Sequence, residues 1–135
     1  MYSIDKKERI IQRVREDFAF IGDRYLAILI FGSHARDDAS PISDIDVCII
    51  TNNKSNNAIC YNEIYPNLKM DIYDVVIFEN CDDELKAEIA KNHIVVFCRD
   101  NKELEKYLQT YKYLEFNNRI LSEIAEELRS IANEI

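Results

Sequence analysis

Apolar residues recur at helical spacing early in the chain: Ile10, Ile11, Val14 and Phe18 fall on one face of residues 4–18, and charges fill the other. The pattern predicts an amphipathic helix with Ser3 as its N-cap, ended at Gly22-Asp23. Residues 25–31 form a short unbroken apolar run, which reads as a strand buried on both faces. Gly32-Ser33 breaks that run, residues 34–40 are polar, and Pro41 stops any short helix there. Residues 44–51 are rich in β-branched side chains and predict a second strand. After a polar loop, residues 58–68 predict one or two helical turns, broken by Pro66. A third strand is predicted at 70–78. An amphipathic helix follows at 82–92, with Leu85, Ile89 and Ala90 inward and Asp82 or Asp83 near its start, then a fourth strand at 94–98. From Lys102 the pattern is helical to the end. Leu104, Leu108, Tyr111 and Leu114 make one stripe; Leu121, Ile124, Leu128, Ile131 and Ile135 make another. The phase slips near 116–118, which predicts a bend or two helices. Strands interleaved with helices predict an α/β layer fold, and the length of 135 residues predicts one domain over 1–135, with a core at about 25–99 and a helical tail at about 102–135.

Composition narrows the chemistry more than the architecture. Apolar residues are 47% and charged residues 31%, as in ordinary globular proteins. A net charge of −8 argues against a general nucleic-acid binder, which needs a basic face to displace counterions. With only two glycines, Gly22 and Gly32, a dinucleotide turn, a kinase glycine loop, a GxSxG elbow and a Walker loop are all excluded. Cys48, Cys60, Cys81 and Cys98 are widely spaced, and with His34 and His93 they build no local zinc site. Cys48 and Cys98 lie in apolar runs and read as small buried hydrophobes. Residues 1–16 are too charged for a secretory peptide, and the longest apolar run is too short to span a bilayer. A soluble protein in a reducing cytoplasm is the expectation.

The sharpest chemical feature is Asp44 and Asp46, two apart in an extended segment and hence on one face. Paired carboxylates on an apolar strand repel, and a divalent cation such as Mg²⁺ compensates them well. The alternative is a pair that merely opens the strand at its solvent edge. Gly32-Ser33 directly follows a buried strand, where backbone N–H groups and a hydroxyl can cradle an anion. Arg36 shares that face in a helical turn, or is simply exposed. Ser43 either orients a carboxylate or caps the adjoining element, and His34 and His93 read as structural.

Taken together, Gly32-Ser33-His34-Ala35-Arg36 and Ser43-Asp44-Ile45-Asp46, with ten residues between Ser33 and Asp44, resemble the Gly-Ser, spacer, Asp-x-Asp pattern of the nucleotidyltransferase superfamily typified by DNA polymerase β. The likeness runs from Tyr25 to about Arg99, and the small size resembles the minimal nucleotidyltransferases. It departs at two turns: Asp37 stands where such proteins often have Gly, and Asn92-His93 where a Gly commonly precedes the last strand. The resemblance implies an α+β polymerase-β-like fold, a short mixed sheet with helices packed on it and a C-terminal helical extension. It also implies a third carboxylate on a later strand; the family pattern falls on Tyr73-Asp74-Val75-Val76 and so favours Asp74 over Asp71. The implied chemistry is displacement at the α-phosphorus of ATP with two Mg²⁺ ions on Asp44, Asp46 and Asp74. Asp74 would also help deprotonate the acceptor, while Gly32, Ser33, Arg36 and Ser43 would bind the nucleotide.

Minimal nucleotidyltransferases of this length often resemble the antitoxins of HEPN/MNT toxin–antitoxin pairs, which transfer AMP from ATP to a tyrosine of a helical HEPN toxin. That resemblance implies a HEPN-type protein as partner. Tyr107, Tyr111, Tyr113 and Phe116 then either face the partner or pack on the chain's own sheet. A small-molecule, drug-modifying nucleotidyltransferase and a non-catalytic toxin-binding subunit are the other readings. The intact Ser33, Asp44, Asp46 and Asp74 set argues against the last.

Overall fold

In the computed structural model the described residues are 6–40, 43–52, 64–68 and 72–133, with the backbone alone for 114–118. The expected Ser3 cap, the stop at Pro41, Asp71, Ile135 and most of the segment 58–68 lie outside them. Helix α1 spans Lys6–Asp17 and a 3₁₀ turn at Ala19–Ile21 follows it. The strands are β1 (Ala27–Phe31), β2 (Ile45–Ile50), β3 (Tyr73–Ile77) and β4 (Ile94–Cys98). Three further helices are α2 (Asp83–Lys91), α3 (Asn101–Lys112) and α4 (Leu114–Asn133), and short 3₁₀ turns lie at Gly32–His34, Tyr65–Asn67 and Phe78–Asn80.

The sheet order is β3-β2-β1-β4. Strand β1 runs antiparallel to both β2 and β4, and β2 is parallel to β3, so the sheet is mixed. The central strands are buried on both faces, which explains why β1 reads as continuous apolar sequence rather than as alternation. Ile28, Ile30, Val47 and Ile49 face α1 together with Val14, Phe18 and Ile21. Leu29, Phe31, Cys48 and Ile50 face the other way, toward Ile89, Leu104 and Leu108 of α2 and α3. Each fully buried Leu, Ile or Val contributes roughly 1.5–3 kcal/mol, so two cores stitched by one sheet fix the strand register firmly.

Local chemistry sets the helix starts. Asp82 caps α2 by accepting the Leu85 N–H at 2.8 Å, and Asp100 caps α3 by accepting from Lys102 and Glu103 at 3.0 and 3.2 Å. The expected break in the tail falls earlier than 116–118. Tyr113 leaves helical geometry (φ −114°, ψ 17°), just after Tyr111 makes the last contact of α3 with the core at Phe78. Cys48 is fully buried, and burial pushes its thiol well up, whereas Cys98 is only half-buried. Burial also pushes Cys81 up to about 11, so both of these thiols stay protonated.

Of the expected tail aromatics, Tyr107 and Tyr111 pack internally, Tyr113 is exposed, and the side chain of Phe116 lies outside the described residues. Tyr107 and Tyr111 pack edge-on against each other and on Phe78, with centroids 5.3, 5.6 and 5.1 Å apart. The Tyr107 hydroxyl donates to Glu79 at 2.6 Å, and the same carboxylate accepts from Thr51 Oγ1 at 2.7 Å and from the Thr51 N–H at 3.0 Å. Glu79 thereby ties the end of β2 to α3.

The turn after β1 places a non-glycine residue, Asp37, at a backbone angle that favours glycine. Asp37 has φ +64°, a left-handed conformation that costs an L-residue about 1–2 kcal/mol, somewhat less for Asp. Asp37→Gly should therefore raise stability by about 0.5–1 kcal/mol, read as a higher urea midpoint at unchanged slope. A lower midpoint would mean that the Asp37 side chain itself holds the turn.

Candidate active site

Three sequence segments meet at one end of the sheet. β1 ends at Phe31 and passes into a 3₁₀ turn, Gly32–His34, in which Ala35 and Arg36 N–H groups both donate to the Gly32 carbonyl at 3.1 Å. Gly32 has φ +70°, and a Cβ there would collide with the Asp46 carboxylate. Glycine is thus required twice, for its backbone angle and for the space that the carboxylate fills.

Register brings the acidic groups together. Asp46 lies opposite Phe31 on β1 and opposite Asp74 on the parallel strand β3. Directly opposed residues of parallel strands project to one face, and neighbouring strands lie about 4.8 Å apart. Asp46 and Asp74 are therefore side by side on the face that carries α2 and α3. Asp44 stands just ahead of β2, exposed, and near enough to act on Asp46 electrostatically. The sequence pattern put both aspartates within the strand; the strand in fact begins at Ile45, between them. Asp71 lies outside the described residues.

Asp46 bears the electrostatic load. Burial is the first cause that raises its pKa, followed by Asp74 and then Asp44, while His34 and Arg36 pull it down. His34 and Arg36 thus offset the carboxylate cluster only in part. Arg36 is shared with Asp38 at 3.2 Å and with Glu88 of α2 at 3.5 Å.

The remaining expected residues have separable positions. Ser33 sits half-buried in the turn. Ser43 closes the loop before β2: its hydroxyl accepts the Ser40 N–H at 3.0 Å and contacts the Ser40 hydroxyl at 3.1 Å. That is a capping geometry, with the hydroxyl turned to Ser40. His34, read from sequence as structural, joins the group. Its Nε2–H donates to the Ser43 carbonyl at 3.3 Å and so ties the glycine turn to the segment leading into Asp44. No local motif marks this histidine, because its partner lies nine residues away across a loop.

The donor chemistry suits a hard divalent cation, since carboxylate oxygens crowd one face at an electrostatic cost. Among the described residues no three such groups converge into a closed metal cage. Mg²⁺ is ordinarily held by one or two carboxylates together with substrate phosphates, so the group fits that ion in kind and in facing.

Comparison with known proteins bears on the same stretch. The family described as polymerase beta, nucleotidyltransferase matches residues 20–102. A candidate protein adenylyltransferase of Methanocaldococcus jannaschii is 36% identical over 90 residues, 67% of either chain. A toxin–antitoxin crystal structure with AMP-PNP superposes with a TM-score of 0.58 at 14% identity, over 95% of this chain and 99% of that one. A tri-AMPylated HEPN toxin in complex with MNT antitoxin, from Shewanella oneidensis, gives 0.52 at 13% identity over 93% and 95%. At these identities the two structures establish likeness of fold. No described helix is long and apolar enough to cross a membrane.

Two stability outcomes follow. Asp46 is protonated more readily folded than unfolded, so its charge penalises the fold above the folded pKa and not below the unfolded one. Asp46→Asn should then raise the melting temperature at neutral pH in EDTA, and this gain should fade as pH falls through about 4. Gly32→Ala should cost at least about 1–2 kcal/mol in urea denaturation, from the backbone angle alone. A neutral Gly32→Ala would contradict the close packing against Asp46.

Proposed function

The chain belongs to the polymerase β nucleotidyltransferase family, and within that family we propose an Mg²⁺-dependent protein adenylyltransferase that acts as the antitoxin of a HEPN-type toxin. It moves AMP from ATP to a tyrosine hydroxyl of that helical partner. The observation that carries the reading is the pairing of Asp46 with Asp74 across parallel strands, the Asp46 carboxylate filling the space that a side chain at Gly32 would take. The partner class is supported by the Methanocaldococcus relative and by the toxin–antitoxin complexes that share the fold. A cytoplasmic setting, where ATP is available, goes with it.

Asp44, Asp46 and Asp74 are the residues that would hold the metal. When bound, Mg²⁺ neutralises phosphate charge and lowers the pKa of an attacking hydroxyl. Gly32 and Ser33 receive the β- and γ-phosphates, through the backbone N–H groups and the Ser33 hydroxyl of the turn that follows β1. Arg36 lends positive charge near the carboxylates, and Ser43 holds the loop that delivers Asp44. Asp74, exposed at the rim, takes the tyrosine proton. The phenolate oxygen bonds to the α-phosphorus while the bond to the bridging oxygen breaks, and pyrophosphate leaves with that electron pair.

The test is intact mass spectrometry of a HEPN-type protein from the same organism, after co-expression with this chain. The wild type should add one or more adenylyl groups, and Asp44→Asn, Asp46→Asn or Asp74→Asn should lower the rate at least about 10³-fold with the fold kept. Asp71→Asn should leave most activity. EDTA should abolish transfer and weaken ATP binding in calorimetry. A neutralised toxin of unchanged mass would identify a contact inhibitor, and labelling of a small molecule instead would identify a drug-modifying enzyme.

A further inference from the structure

Helix α4 presents a row of aliphatic side chains to solvent. Leu121, Ile124, Leu128 and Ile131 are 64%, 48%, 62% and 52% exposed, and Ile120 extends the row. Single exposed leucines need no explanation, but a contiguous stripe along one helix marks an interaction surface. We propose that this stripe is where the helical partner docks, α4 lying in a basic-rimmed groove between two partner helices. The proposal rests on the functional reading above for the partner's identity.

The spacing selects the occupant's secondary structure. Positions 121, 124, 128 and 131 step by three, four and three, which keeps the side chains on one seam at 3.5 residues per turn. Such a seam packs knobs into the holes of another helix. The heptad assignment is unique: the leucines occupy a and the isoleucines d. Leu at a with Ile at d favours assemblies of more than two helices. Ala125 and Ala132 at e widen the face, as on a bundle helix rather than a two-stranded zipper. A groove between two helices satisfies both features.

Charge argues against a second copy of this chain. Of the g positions beside the seam, Ile120 and Glu127, the second is charged, and α4 carries Glu115, Glu123, Glu126 and Glu127 against Arg119 and Arg129. Antiparallel self-pairing would set g against g, and so Glu127 against another Glu127. Parallel self-pairing would set Glu127 against Ala132 and gain no ion pair. A basic rim complements both α4 and the net charge of −8.

Placement completes the case. The stripe of α3 is spent internally: Leu104 and Leu108 are buried, and Tyr107 and Tyr111 pack on Phe78. Helix α4 touches α2, whose Glu88 holds Arg36 beside the carboxylates. A partner seated on α4 therefore approaches the face of the sheet where Asp46 and Asp74 lie.

The experiment measures binding of a HEPN-type helical protein from the same organism by light scattering and calorimetry. Leu121→Glu with Leu128→Glu should weaken the complex at least a hundredfold, and the milder Ile124→Ala with Leu128→Ala at least tenfold. Glu127→Lys should weaken it severalfold, wild-type affinity should fall with salt, and Ser130→Ala should change nothing. Circular dichroism checks the fold, and ATP binding by the isolated variants should be unaltered. Undiminished affinity in the folded double variants would overturn the proposal. So would a wild type that binds no helical partner, or one that self-associates through α4. If the α4 variants lose the complex but the partner never gains adenylyl mass, the docking surface stands and the transferase reading falls.

Discussion

Everything at the candidate site depends on one close approach, the Asp46 carboxylate lying against a backbone that has no side chain. Gly32 at φ +70° gives that carboxylate its place, and no other residue type can do so. The turn and the strand are thereby coupled: the residue that follows β1 fixes where the acid on β2 can stand. Asp74 is then set by register alone, as the residue opposite Asp46 on the next strand.

The cost of this arrangement is electrostatic, and the fold carries it. Two cores on opposite sides of a mixed sheet bury the central strands almost completely, which anchors Asp46 in a partly desolvated position beside like charges. His34 and Arg36 relieve part of the strain, and Arg36 is itself divided between Asp38 and Glu88. A site assembled in this way is poised for a cationic or polyanion-bridging ligand, and it gains nothing in stability from its own charges.

The helical tail shows how one sequence feature can divide between two uses. Its first apolar stripe closes the α2–α3 side of the core, with Glu79 fastening Tyr107 and the end of β2. Its second stripe has no such neighbour and remains on the surface. The aromatics, which sequence alone left open between partner and core, belong to the core where Tyr107 and Tyr111 are concerned. Among the described side chains of α4, aliphatic residues form the exposed row.

Periodicity and turn residues alone determined the order of strands and helices, because each element has either an unbroken apolar run or a clean helical stripe. The Gly-Ser turn and the Asp-x-Asp pair were legible for the same reason, being local patterns. Choosing Asp74 over Asp71 needed the family pattern, and the pairing of Asp74 with Asp46 became visible only with the parallel register. Strand order, the half-in, half-out placement of Asp44 and Asp46, and the recruitment of His34 through a carbonyl nine residues away were decided by tertiary structure. The break at Tyr113 and the packing of Tyr107 and Tyr111 on Phe78 were decided there too. The physical reason is common to all of these. Local sequence sets backbone preference and apolar period, whereas the neighbours of a side chain depend on contacts between segments far apart in the chain, which carry no local signature.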